Sequence, residues 1–132
     1  MGEHMKYICL AYEAEEKLNT LSKSEWDSLR NETLSYVEVL ERRGKLISAE
    51  PLQSVQNATT VRIRNGKLSI TDGPFAETKE TLGGFFLIEA TDLDEAIQIA
   101  ANWPSARLGS IEIRSIENEL REDGLYETLS DR

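Results

Sequence analysis

The residues best suited to chemistry crowd into one short run, Thr71-Asp72-Gly73-Pro74-Phe75-Ala76-Glu77-Thr78-Lys79-Glu80, followed closely by Gly83-Gly84. Three carboxylates and one amine stand within nine residues, beside a stiff Gly-Pro bend. A carboxylate becomes a general base when burial raises its pKa, and a nearby lysine can steady a developing oxyanion. On that reading Asp72 is the candidate catalytic group, and Glu77, Lys79 and Glu80 bind substrate at the rim of an opening. Tyr7 and Tyr12 would line that opening with their hydroxyls, and Pro74 would fix the bend so that Phe75 packs inward. The same residues also suit a solvated turn, in which Asp72 bonds its own backbone and Lys79 pairs with a neighbouring glutamate. Tyr7 and Tyr12 can likewise pack with their hydroxyls at an edge. Residue chemistry alone favours the turn.

Other candidates carry less. Glu50, ahead of Pro51, suits either a pocket or the surface. Arg62 and Arg64 alternate with apolar residues, which points them at solvent, at a carboxylate on the next strand, or at an anion. Trp26 heads the apolar stripe of a helix and is expected in the core. Trp103, before Pro104, either caps a cleft or staples a turn. Cys9 lies in an apolar run and reads as a buried, inert thiol. As the only cysteine it excludes an internal disulfide and a Cys-rich zinc site. The only histidine, His4, falls in Met1-Gly2-Glu3-His4-Met5. That stretch reads as a cloning remnant, so the natural chain is expected to start at Met5 without histidine. The usual general base and metal ligand are then missing. No phosphate-cradling loop, nucleotide fingerprint or metal-ligand cluster occurs. No cofactor and no metal are expected.

The elements that must position these groups follow from periodicity. Lys6 to Tyr12 and Phe85 to Ile88 are apolar on both alternating faces, as central strands are. Ser22-Lys23-Ser24-Glu25 is a capping box, and Trp26, Leu29, Thr33, Tyr36, Val37 and Leu40 recur at helical spacing, so a helix is predicted over 23–43. Leu46 and Ile47 open a short strand that Pro51 ends. Residues 59–64 and 67–71 flank Asn65-Gly66 and predict a hairpin. Asp92 and Glu95 start a second helix, and Ile111, Ile113 and Ile116 mark a last strand. The order predicts an α+β fold: a ferredoxin-like antiparallel sheet with two helices on one face and an added β-hairpin. Two helices cover one face only, and a second copy of the sheet would cover the other, so a homodimer is expected.

With 132 residues, 39% apolar and 30% charged, the chain has a globular composition and one domain's length. Residues 1–4 are assigned to the remnant, 5–117 to the single domain, and 118–132 to an acidic C-terminal tail. A net charge of −9 disfavours nucleic acid and anionic membranes as partners. No run approaches the ~18 apolar residues of a membrane span. A soluble, cytoplasmic protein is expected.

The run DGPFAETKE followed by LGGFFLIEA closely resembles the signature of the DGPF branch of the YCII-related proteins. MKYICLAYE, ATTVRIRNGKL, DLDEAIQIAANWP and GSIEIR support the resemblance, which extends over residues 5 to 116. It implies a dimeric α+β barrel, the fold of muconolactone-isomerase-like enzymes and small monooxygenases. Enzymatic activity has been proposed for the family, and some of its genes lie beside those of alternative sigma factors. Other YCII-related members carry a histidine near the first helix, proposed to act with an aspartate. This chain has none there, so that mechanism does not transfer, and only Asp72, Glu77, Lys79 and Glu80 carry over.

Two functions remain open on the sequence. One is a cofactor-free small-molecule enzyme or binder, performing proton transfer, isomerisation or elimination on a small oxygenated ring or lactone. The other is a non-catalytic accessory or sensor protein acting with an alternative sigma factor. The first requires a desolvated Asp or Glu inside a pocket. The second does not.

Overall fold

The computed structural model of the protein describes residues 5–117. The remnant assigned to residues 1–4 and the tail at 118–132 lie outside the described residues. Six strands and three α-helices follow one another as β1 (Met5–Glu13), α1 (Glu15–Leu18), α2 (Lys23–Arg42), β2 (Leu46–Pro51), β3 (Thr59–Arg64), β4 (Lys67–Asp72), β5 (Thr81–Ala90), α3 (Leu93–Ala101) and β6 (Gly109–Ser115). Short 3-10 turns at Val55–Asn57 and Pro104–Arg107 precede β3 and β6.

The main sheet has the order β2-β5-β1-β6 and is antiparallel throughout. The two strands that are apolar on both faces, β1 and β5, take the centre, with a hydrogen-bonded neighbour on either side. The arrangement is consistent with a ferredoxin-like fold. Tyr7, Cys9 and Ala11 of β1 and Phe86, Ile88 and Ala90 of β5 form the buried inward row. All but Ala11 pack in one core with Leu40 of α2 and Ala96, Ile99 and Ala100 of α3. Trp103 closes this core: its ring stacks on Phe86 at 3.9 Å and meets Tyr36 edge-on at 6.0 Å. The Tyr36 hydroxyl donates to the Ile99 carbonyl at 2.9 Å and so ties α2 to α3.

Helix α2 starts where its cap requires. The Glu25 amide donates to Ser22 Oγ at 3.1 Å, and the Ser22 amide donates to Glu25 Oε1 at 2.9 Å. This reciprocal pair satisfies two of the free amides at the helix start. The single turn α1, by contrast, is too short to announce itself by periodicity, and the sequence reads as a loop there. Asn65 and Gly66 take positive φ angles of 53° and 75° and turn β3 into β4. Their register, Val61↔Ile70 and Ile63↔Leu68, is the antiparallel hairpin expected from that turn. It forms a two-stranded sheet of its own rather than an outer part of the main one.

Phe75 corrects one expectation. It was expected to pack inward behind Pro74, but is 78% exposed. The bend follows β4, which belongs to the separate hairpin, so the core is out of its reach. No helix among the described residues is long and apolar enough to cross a membrane.

Candidate functional site

A cleft of about 610 Å³ opens between the N-terminal half of α2 and the end of the sheet where β1 stops and β5 begins. Ligand clefts commonly hold ~300–1,000 Å³. Its floor is made of small or flat groups, Ala11, Ala49, Gly84 and Phe86, with Trp103 at the back. Trp26, Leu29, Thr33 and Val37 of α2 form one wall, and Leu18, Leu52 and Leu82 extend the apolar lining. Arg30, Glu15 and Glu50 are its charged fringe. The Val55 amide donates to Glu15 Oε1 at 3.3 Å, which pins the loop after β2 to α1 beside the cleft.

One carboxylate stands inside this apolar setting. Glu13, the last residue of β1, continues the inward row set by Tyr7, Cys9 and Ala11, because strand side chains alternate with period two. It is half-buried, and desolvation raises its pKa above the usual glutamate value, opposed by a hydrogen bond from Ser105. The backbone makes room for it. Pairing between β1 and β5 shifts from Ala11↔Gly84 to Tyr12↔Leu82, so Gly83 bulges out of register opposite the end of β1. A Cβ on Gly83 would sit 2.9 Å from Glu13 Oε2. The Gly83 carbonyl is not left free, since the Leu52 amide donates to it at 2.8 Å. Bulge, glycine and carboxylate therefore form one unit, and a carboxylate whose pKa is raised in this way is a stronger base than an exposed one.

The residues singled out from the sequence lie elsewhere. Asp72 closes β4 and is exposed, as are Glu77 and Lys79 in the loop beyond it. Glu80 is half-buried and accepts from Ser110 Oγ at 3.0 Å. Tyr12 is the register partner of that same Ser110, on the face of the sheet opposite the helices, so Glu80 and Tyr12 come together at one corner. Tyr7 is buried in the core, its hydroxyl 3.7 Å from Met5 Sδ. None of these six residues lines the cleft.

Trp26 is a second correction: it is 47% exposed and stands on the cleft wall rather than in the core. Helical spacing gives the apolar side of α2 but not its distance from the sheet, and at this end the cleft keeps the two apart. Trp103 is both buried and part of the lining, and Glu50 is on the fringe. Arg62 and Arg64 are exposed and donate to the carbonyls of Phe75 and Ile63. Sequence reasoning missed Glu13. The available signal was its odd-numbered place on β1, which sets a carboxylate in the same row as the core.

A smaller groove of about 400 Å³ runs along the outer side of α2, where Arg107 grips Glu32 through two bonds of 2.8 and 2.7 Å. Among the described residues, no group of three or more His, Cys, Asp or Glu could hold a metal ion.

Comparison with known proteins places the chain. Residues 5–119 match the YCII-related domain. Over 114 residues the chain is 35% identical to an uncharacterized protein, R00369, of Rhizobium meliloti (strain 1021), spanning 85% of this chain and 92% of that protein. The protein belongs to the YCII-related family, with Glu13 and its cleft as the candidate site.

Proposed function

We propose that the cleft binds a small, largely apolar ring compound and that Glu13 exchanges a proton with it. The observation that carries this reading is the half-buried carboxyl of Glu13, raised by desolvation, inside an apolar cleft of about 610 Å³. The chemistry it supports is isomerisation or elimination. The carboxylate takes a proton from an acidified C–H beside a carbonyl, and then either returns it at another carbon or holds it while a leaving group departs. The DGPF signature at 72–80, in this reading, belongs to the hairpin base and not to the reacting centre.

The test uses three proteins: wild type, Glu13→Gln and Asp72→Asn. A panel of small aromatic acids, phenols and lactones is screened by thermal shift and by quenching of tryptophan fluorescence. A ligand at a hundred times its Kd stabilises by about 2.7 kcal/mol. Wild type and Asp72→Asn should respond alike, and both should exchange deuterium from D2O into the bound compound. Glu13→Gln should still bind but lose the exchange. Exchange that survives in Glu13→Gln refutes the role of Glu13, and the absence of any ligand removes the reading itself in favour of an accessory or sensor role.

We place the working unit as a homodimer in which two sheets face each other, as in a dimeric α+β barrel. Ile8, Leu10, Phe85 and Leu87 support it. The register Ile8↔Leu87 and Leu10↔Phe85 sets them side by side on the sheet face that the helices leave uncovered. Light scattering should give about twice the 14.9 kDa of one chain.

A further inference from the structure

Among the described residues, the hairpin arm β3–β4 has an apolar face that stays uncovered. Its cross-strand pairs Val61↔Ile70 and Ile63↔Leu68 put four apolar side chains on one face, each 60–65% exposed. The opposite face carries Thr60, Arg62 and Arg64 against Lys67, Ser69 and Thr71. The arm is anchored at its base: the Gly73 amide donates to the Ala58 carbonyl at 2.7 Å, and Thr60 Oγ1 donates to the Gly73 carbonyl at 2.8 Å. A two-stranded ribbon with a bare apolar face is marginal in water.

Area indicates what covers it, and net charge favours the approach of a second copy, the basic side chains lying on the face opposite the apolar one. Residues 59–71 hold three basic and no acidic side chains, while the chain as a whole carries −9, so everything outside the arm sums to −12. An acidic macromolecular surface is therefore always at hand, namely that of another copy. Four aliphatic side chains offer on the order of 300 Å² of apolar surface, and two arms roughly twice that. Added to opposed sheet faces, this moves the contact toward the ~1,200–2,000 Å² of a stable interface.

We infer that the arm reaches across to a second copy of this chain, lays its apolar face on that copy, and is drawn there by the opposite charge of the acidic body. Each copy clasps the other, and the contact is isologous. The inference rests on the homodimer proposed above but assigns it a part that opposed sheets do not require.

The test is sedimentation velocity on the full chain at 1–50 µM (roughly the range for transient dimers), with the fold checked by circular dichroism. Wild type should sediment as a dimer that loosens as salt rises. Ile63→Thr with Leu68→Thr keeps strand-forming residues but removes the apolar face, and should weaken the dimer at least ~100-fold. Arg62→Glu with Arg64→Glu alters exposed side chains only, and should weaken it at least ~10-fold. If both double variants dimerise like wild type, the clasp is wrong and the sheet-faced dimer stands. If wild type is a monomer, both are wrong, and binding of that monomer to anionic vesicles or duplex DNA would identify what the arm meets instead. Should the threonine variant fail to fold, zero-length crosslinking of mixed 14N and 15N wild type decides. Lys67 joined to an acidic residue of the other isotope supports the clasp, and Lys67 crosslinks confined to one isotope overturn it.

Discussion

Gly109→Ala should be among the most damaging single-methyl additions in this protein. A Cβ at Gly109 would run into the Tyr12 carbonyl oxygen, an atom of the β1 backbone that cannot swing aside. The ends of β6 and β1 must therefore part to make room for it. Gly109 pairs with Glu13, and Ser110 with Tyr12, so the parting falls on the last pairs of this ladder. One or two ladder bonds at ~1 kcal/mol each, plus ~1–3 kcal/mol of overpacking, give a loss of about 2–5 kcal/mol. For a chain of this size that lowers Tm by roughly 8–20 °C. Gly83→Ala is the matched contrast. Its Cβ would meet Glu13 Oε2 at 2.9 Å, but that atom is the free end of a flexible side chain and can rotate away. Its stability cost should stay below ~1 kcal/mol, while the displaced carboxylate alters ligand response in the cleft. Urea unfolding followed by tryptophan fluorescence measures both, with unchanged m-values confirming a common unfolded state. Equal costs for the two variants, or a Gly109→Ala loss under ~1 kcal/mol, would show that the β1–β6 contact is not the rigid one described.

Glu13→Gln should be more stable than wild type at pH 7. Burial raises the folded-state pKa of Glu13 above its unfolded value, so the charged form burdens the native state once pH exceeds the folded pKa, and the burden vanishes below the unfolded value near ~4.3. Melting curves from pH 4 to 8 check the sign: the advantage of Glu13→Gln should shrink on acidification, and growth instead would contradict it. Phe86→Ala removes a fully buried ring stacked on Trp103 and should cost ~3–5 kcal/mol, with a red shift of the Trp103 emission in the native state. Ser22→Ala removes the bond from the Glu25 amide to Ser22 Oγ, leaving the one from the Ser22 amide to Glu25, and should cost ~1 kcal/mol by thermal melt, with helicity lost at that end.

What could be read from the sequence was whatever depends on neighbours in the chain. The capping box at Ser22 and Glu25, the Asn65-Gly66 turn and the doubly apolar runs of β1 and β5 are local statements, and each reappears as written. The candidate site was less legible. The strand alternation puts Glu13 in the row of the core, but its setting is made by Gly83 and Ser105, far along the chain. Trp26 and Phe75 were misread for a related reason: periodicity and aromatic character say which side of an element is apolar, not whether a second surface lies close enough to cover it. The dense acid–base run at 72–80 drew attention by composition, yet Asp72, Glu77 and Lys79 are exposed there.

The order of strands in the main sheet has a consequence for how the protein is made. β1 is synthesised before the other described strands, yet its neighbours in the sheet are β5, starting at Thr81, and β6, starting at Gly109. At ~5–20 residues per second, this apolar strand waits on the order of 4–15 seconds before its first partner leaves the ribosome. The hairpin β3–β4, whose contacts are local, can close within ~10 microseconds and is complete long before then. During that interval Ile8, Cys9 and Leu10 form an unpaired edge, open to the same strand on a neighbouring nascent chain. Soluble yield should therefore depend on the speed of translation through residues 14–81 and on chaperone supply more than on the equilibrium stability of the finished fold.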